Sequence, residues 1–227
     1  MRSASILCAA CALLLATSCT RDDANRVPSG SDTSSTSVSG STTDGGDSAT
    51  QPASRPATLV DSISIEGSKE PMTLTLVESP AGFPMTFSTY MPPDMQVEFD
   101  ADSAAVKFIA AFGGTVQPKA FVQVQRVGEG GVENVRADSV VGRMLAGRTL
   151  GNTQLLSGAP PWASDGAGFT YTEEGARYNG TIAIRGGGDN PFRIVIHMLS
   201  EYADGMSPRV QMILENWRWA DGSSLIP

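Results

Sequence analysis

Few side chains in this 227-residue chain could carry acid, base or nucleophilic chemistry. His197 is the single histidine, and in the apolar run from Phe192 to Leu199 it shares one strand face with Arg193 and Val195. A lone strand histidine is far more often structural than catalytic. Metal sites built on several histidines are excluded. A Ser-His-Asp system is possible in composition, but no Gly-x-Ser-x-Gly motif places a serine for it.

Carboxylates are the other candidates for chemistry. Three groups could be drawn as acid/base pairs or calcium ligands: Glu173 with Glu174, Glu201 with Asp204, and Asp100 with Asp102. Glycoside hydrolysis needs two carboxyls about 5 to 10 Å apart beside a cleft, and the Asp-x-Asp run lacks the further ligands and the glycine of a calcium loop. We interpret all three as solvated turn carboxylates. We therefore predict no catalytic residue, no metal site and no cofactor.

Aromatic residues are the candidate binding residues. Trp162 lies in a Pro-Pro-Trp loop, Tyr171 and Tyr178 flank a turn, and Trp219 comes two positions after Trp217, which we expect in the core. An exposed Trp or Tyr on a rigid edge is the type of anchor that binding hot spots use. Tryptophan also often covers a small core, and this second interpretation is favoured for Trp162 and Trp219.

The N-terminus carries a targeting signal. Arg2 precedes a short apolar stretch from Ile6 to Leu15, and Leu-Ala-Thr-Ser-Cys ends at Cys19. The stretch is too short to span a bilayer, which needs roughly 20 residues. It resembles the lipobox of bacterial lipoproteins, which implies cleavage after residue 18 and fatty acylation, such as palmitate, at Cys19. An ordinary secretory signal is the alternative, but no cysteine follows Cys19 to pair with it. By the same resemblance, Thr20 implies outer-membrane sorting, facing the periplasm, in a Gram-negative host.

The chain divides by composition into three parts. Residues 1–18 are the signal peptide, and residues 19–58 are rich in Ser, Thr, Gly and Asp, which predicts a disordered tether because little apolar surface can be buried. Residues 59–227 are long enough for one globular domain. The formal net charge of −8 argues against a nucleic-acid partner, whose binding depends on neutralising phosphates.

The globular part is predicted to be α+β, a mainly antiparallel sheet with two helices packed on it in an α/β/α sandwich. Strands are expected at 59–65, 72–77, 85–90, 95–99, 121–127, 169–173, 177–185 and 192–199. The segment 104–112 fits either a strand or a helix. Helices are expected over 133–146, ending near Gly147, and from Ser207-Pro208 through an apolar stripe to Trp217. Gly186 to Asn190 lacks the Lys-Ser/Thr of a phosphate-binding loop, and we interpret it as a hairpin turn.

A family resemblance follows from the run Phe83 to Tyr90 through Pro92, and from the strand and amphipathic helix between Phe192 and Trp219. This arrangement resembles the PsbP-like α/β/α sandwich of bacterial and photosynthetic extracytoplasmic proteins. The resemblance implies an assembly or binding role without a catalytic centre, and it assigns no site residue.

Two classes of function remain open at this point. The leading hypothesis is a membrane-anchored extracytoplasmic lipoprotein that binds or assembles an envelope protein or polymer and contacts the bilayer through acylated Cys19. The alternative is a carboxylate-dependent envelope hydrolase acting on a glycan or peptide. A third possibility is capture of a small apolar ligand between sheet and helix, which would require a large pocket.

Overall fold

Antiparallel strands make up most of the structure. The computed structural model describes residues 54–65, 67–128, 136–186 and 191–226, and it shows a β-rich α+β fold with two helices. The strands are β1 (Thr58–Ile65), β2 (Ser68–Glu78), β3 (Phe87–Met91), β4 (Met95–Asp100), β5 (Ala105–Ala110), β6 (Phe121–Arg126), β7 (Gly151–Ser157), β8 (Asp165–Glu173), β9 (Ala176–Arg185), β10 (Phe192–Leu199) and β11 (Arg218–Trp219). All strands predicted from the sequence are present, and the ambiguous segment is strand β5.

The strands form two sheets rather than the single sheet that the sequence predicted. The small sheet has the order β1-β2-β3-β11, and the large sheet has the order β4-β5-β6-β10-β9-β8-β7. The separation falls at the turn from Pro92 to Asp94, which joins β3 of one sheet to β4 of the other. The β9–β10 hairpin is confirmed by antiparallel pairing from Arg185 opposite Phe192 onward, although residues 187–190 of its turn lie outside the described residues.

Both predicted helices exist with different bounds. Helix α1 spans Ala137–Leu145. Residues 133–135, where the sequence predicted its start, lie outside the described residues. Gly147, predicted to end the helix, follows it with a φ of 75°. Helix α2 spans Ala203–Glu215. It begins four residues before the predicted Ser207 N-cap because a 3₁₀ turn over Ser200–Tyr202 leads into it, so Pro208 lies inside the helix. Within the described part of the chain, no helix has the length and apolar character needed to cross a membrane.

The two helices pack against opposite faces of the large sheet. Consecutive residues of β10 point to opposite faces of the sheet. Ile194 belongs to the cluster that includes α2 and the small sheet, whereas Val195 belongs to the cluster that includes α1. Trp217 is fully buried in the first cluster, as predicted, although helix α2 ends before it. Its ring stacks on Phe87 of the small sheet at 4.0 Å between centroids. The small sheet and α2 thus share one core with the large sheet.

An ion pair between buried Arg209 and partly exposed Asp94 ties helix α2 to the turn before β4. The guanidinium of Arg209 donates from Nε to both carboxylate oxygens of Asp94 at 2.9 Å, and from Nη2 to Oδ2 at 2.5 Å. Its Nη1 donates to the carbonyl of Gly205. Arg209 is 7% exposed, so these bonds satisfy a charge that would otherwise be buried without a partner. The pair fixes where α2 lies over the large sheet.

Candidate functional site: an apolar groove beside helix α2

A cavity of about 530 Å³ lies between helix α2 and strands β8, β9 and β10 of the large sheet. Helix α2 packs on β10 and on the small sheet. The cavity lies on the side of the helix towards β8 and β9. This volume falls within the range of roughly 300 to 1,000 Å³ that small-molecule sites occupy. We refer to it as the α2 groove.

The floor of the α2 groove is built from neighbouring strands in register. One row across the sheet contains Leu156 of β7, Gly168 of β8, Thr181 of β9 and Ile196 of β10. Because residues that pair across antiparallel strands share a face, these side chains all point towards the groove. At Gly168 a Cβ would come within 3.3 Å of the Leu156 Cβ, so the glycine allows Leu156 to pack closely over it.

The walls are a helix face and a loop. Helix α2 contributes residues spaced three and four apart, which form one stripe, namely Ala203, Ser207, Val210, Gln211 and Leu214. Pro160 and Trp162 come from the loop before β8, and Ile226 comes from the C-terminal segment. Trp162 is partly buried, and its ring centroid lies 6.2 Å from that of Phe192. The described lining contains no acidic or basic side chain, so the groove suits an apolar occupant.

Gly180 also shapes this part of the sheet. A Cβ at Gly180 would lie 2.3 Å from Cζ of Phe169 and 2.4 Å from the carbonyl oxygen of Ile196. The Phe169 ring therefore occupies the space that a side chain at Gly180 would need, and only glycine allows this packing. Phe169 belongs to the cluster that includes α1 and stacks on His197, so this packing fixes the sheet from the face opposite the α2 groove.

A buried polar cluster lies on the other face of the sheet, around His197. Its Nδ1 is 2.6 Å from the carbonyl oxygen of Lys119, and its Nε2 is 2.6 Å from the Tyr171 hydroxyl. A carbonyl can only accept, so Nδ1 carries the proton, and Nε2 of the neutral ring accepts from Tyr171. The ring stacks among four aromatic rings at centroid distances of 5.4 to 6.1 Å, those of Phe121, Phe169, Tyr171 and Tyr178. Both nitrogens of His197 are engaged, and the residue is 5% exposed.

The electrostatics of this cluster oppose acid/base or nucleophilic chemistry. Burial lowers the pKa of His197, and the nearby positive charges of Arg148 and Lys119 lower it further, whereas the hydrogen bond to the Lys119 carbonyl opposes this shift. Burial also raises the pKa of Tyr171, which is the opposite of the shift that activates a nucleophile. The cluster joins β8 and β10 to the loop before β6 through the two hydrogen bonds of the His197 ring.

None of the three carboxylate groups singled out in the sequence lines the groove, although Asp204 follows the lining residue Ala203 in helix α2. Glu173 accepts from Lys119 Nζ at 2.9 Å, and this hydrogen bond holds the pKa of its carboxyl below the usual value, contrary to the need of a general acid. Asp100 accepts from the Ser103 hydroxyl and backbone amide, which lowers its pKa, so it is a turn carboxylate. Over the part of the chain that the structure describes, no three His, Cys, Asp or Glu side chains are grouped as metal ligands.

The predicted binding aromatics occupy different places. Trp162 lines the α2 groove. Trp219 is 8% exposed and packs on Trp217 and Phe192 in the main core. Tyr171 and Tyr178 are buried in the His197 cluster on the opposite face, stacked with centroids 5.0 Å apart. A binding role for these four residues stays a prediction, and only Trp162 is at the groove.

The predicted lipidation residue, Cys19, lies outside the described residues. None of the groove residues of β7 to β10 was predicted from the sequence to bind a ligand. In the sequence these residues form a strand face of small and polar side chains. A strand face exposed to water has the same composition, so the pattern does not indicate a groove.

Comparisons with known proteins found little likeness. No family model matches the chain, and no curated protein matches it. Among solved structures, the chain is similar to LpqN, which is involved in cell envelope biogenesis of Mycobacterium tuberculosis, with a TM-score of 0.35 and 10% identity. The similarity covers 63% of this chain and 90% of LpqN. At this distance the likeness carries no inference about this chain.

Proposed function

We propose that this protein is an extracytoplasmic lipoprotein that holds an envelope component in the α2 groove without catalysing a reaction on it. In this proposal residues 1–18 are removed, acylated Cys19 anchors the chain in the bilayer, and residues 59–227 bind. Residues 19–58 are the tether, whose last residues, from Arg55 on, are hydrogen-bonded to β2 and β3. In a Gram-negative host the anchor would lie in the outer membrane, facing the periplasm. The partner would be an envelope protein or polymer with an apolar portion.

The groove is the observation that carries the binding function. Its described lining is apolar or neutral, and its floor and one wall are a sheet and a helix rather than loops. Rigid elements bind with little loss of conformational entropy. The hydrolase alternative has no comparable support, because the groove lining contains no carboxylate and the carboxylates with resolved pKa shifts are stabilised in their ionised forms.

The PsbP-like arrangement belongs to the same proposal. Helix α1 packs on β8 and β9, and helix α2 packs on β10 over the opposite face, which is the order of layers that an α/β/α sandwich requires. The small sheet beside α2 is an addition to that simple scheme. A binding rather than catalytic role is what the resemblance implies.

Filling the groove tests the binding function. The full chain carrying Cys19→Ala would be titrated with N-phenyl-1-naphthylamine, a neutral apolar dye that fluoresces in apolar sites. Thr181→Phe places a ring on the groove floor and is expected to weaken dye binding at least tenfold. Thr75→Phe makes the same change at an exposed position of β2, outside the groove lining, and should leave binding unchanged.

Equal dye binding by all three proteins would refute the groove as a binding site. The anchor has a separate test, because the unmodified chain should fractionate with membranes and incorporate palmitate. The Cys19→Ala chain should do neither. Membrane retention of that variant would contradict the proposed acyl anchor while leaving the groove untouched.

A further inference from the structure

The exposed end of the α2 groove changes from apolar to polar along the strands. The row next to the groove floor, on the same face, contains Gln154, Thr170 and Asn179. The row after it contains Thr172, which pairs with Arg177. Because side chains alternate along each strand, these residues point to the same side as the groove floor. The face therefore presents an apolar region, then neutral hydrogen-bonding groups, then one cation.

A second, smaller pocket occupies the polar end. It has a volume of about 240 Å³ and is lined by Asn152, Gln154, Thr170, Thr172 and Arg177. Thr170 lines both this pocket and the α2 groove, so the two are neighbours on the same face of the sheet. All five side chains can donate a hydrogen bond, and the described lining has no carboxylate. In a chain with a formal net charge of −8, this pocket offers a positive charge without an acidic neighbour in its lining.

We propose that the α2 groove and the neighbouring polar pocket together bind a single-chain anionic amphiphile, with its hydrocarbon tail along the α2 groove and its carboxylate or phosphate head at Arg177. An apolar floor favours the tail and penalises a buried charge, which orients the molecule in one direction. The Arg177 guanidinium offers paired donors that match the two oxygens of a carboxylate or phosphate. Asn152, Gln154 and Thr172 can donate to the remaining head oxygens. The inference rests on the proposed binding function and specifies its ligand.

Matched twelve-carbon ligands separate the contribution of the head from that of the tail. The full chain with Cys19→Ala would be titrated calorimetrically, in detergent-free buffer and below micelle-forming concentrations, with dodecanoate, dodecyl phosphate and dodecanol. At least one anion is expected to bind about three- to tenfold more tightly than the alcohol, the range for an exposed charge-assisted contact. Higher salt should reduce this preference without changing alcohol binding. Each methylene added to the tail should tighten binding about fourfold while the groove has room.

Three variants locate the two parts of the site. Arg177→Gln should remove the preference for the anion and leave dodecanol affinity unchanged. Arg136→Gln, at an exposed arginine outside both pockets, should change neither. Thr181→Phe should weaken all three ligands together.

The outcomes distinguish this inference from the proposed function. Equal affinity for acid, phosphate and alcohol, or an anion preference that survives Arg177→Gln, would overturn the ligand assignment while the groove remains a binding site. Absence of binding by all three ligands, together with absence of dye binding, would overturn the binding function itself. Preference for one anion over the other identifies the head as carboxylate or phosphate, and either result supports the inference.

Discussion

Gly180→Ala is the smallest change that tests how the large sheet is packed on the face opposite the α2 groove. The added Cβ would lie 2.3 Å from Cζ of Phe169 and 2.4 Å from the carbonyl oxygen of Ile196, where ordinary contacts begin at 3.4 Å. Each neighbour would therefore have to retreat by about 1 Å. The carbonyl belongs to β10, which is paired on both sides with β6 and β9, and Phe169 is fully buried. Neither can move without disturbing the sheet or its core.

The expected cost follows from these contacts. Overpacking a well-filled core costs about 1 to 3 kcal/mol. Turning the Phe169 ring away would give up part of the roughly 3 to 5 kcal/mol that a buried phenylalanine contributes. We expect the free energy of unfolding to fall by about 3 kcal/mol, which corresponds to a melting temperature lower by about 6 to 12 °C for a domain of this size.

Urea denaturation of the full chain measures this loss, with Gly142→Ala as the matched control. Gly142 lies within helix α1, where a Cβ would meet nothing within 4 Å, so alanine there should raise stability by about 0.5 to 1 kcal/mol. A second change, Phe169→Leu, should recover part of the loss at Gly180 because the ring that clashes is removed. A Gly180→Ala protein within about 1 kcal/mol of the unmodified chain would refute the packing argument.

Three further predictions concern stability. Asp94→Asn should lower the free energy of unfolding by about 2 to 3 kcal/mol, because it leaves the Arg209 charge buried with a neutral partner; an unchanged urea midpoint would contradict this. Since burial lowers the pKa of His197 below 6.5, the unfolded chain takes up a proton first as the pH falls. Stability should therefore decline below about pH 6.5 and level off below the folded-state pKa, and His197→Gln should lack this step in urea midpoints measured from pH 8 to 5. Deleting residues 20–53, which keeps Arg55, Pro56 and Ala57 and their hydrogen bonds to β2 and β3, should leave a cooperative melting transition, whose loss would show that the tether is part of the fold.

Sequence patterns predicted the strands that are rich in apolar residues. The strand predicted at 192–199 is β10, and its consecutive residues Ile194 and Val195, which point to opposite faces, are both buried. Strand β7 was missed because it lies at the edge of the large sheet with every residue exposed, so no alternation marks it. Its two leucines, Leu155 and Leu156, are consecutive and therefore point to opposite faces. The start of β8 was missed for a related reason, since Asp165 and Gly166 have low strand propensity.

The division into two sheets could not be predicted from local patterns. A Pro-Pro-Asp turn between two short apolar strands looks the same whether the strands pair with each other or separate. The choice depends on long-range contacts, above all the stacking of Trp217 on Phe87 and the ion pair of Arg209 with Asp94. These partners are 130 and 115 positions apart in the chain. Only the folded structure brings them together.

The groove was hidden from the sequence because small and polar residues have two opposite meanings on a strand. The face of β8 and β9 that carries Gly168, Thr170, Asn179 and Thr181 has the composition of a face exposed to water. It becomes a groove floor because helix α2, fixed over β10 by its contacts with the small sheet, forms a wall beside it. Larger apolar residues at these positions would fill the space that the groove occupies. The small side chains that make the face look unremarkable in the sequence are therefore the same ones that leave room for a ligand.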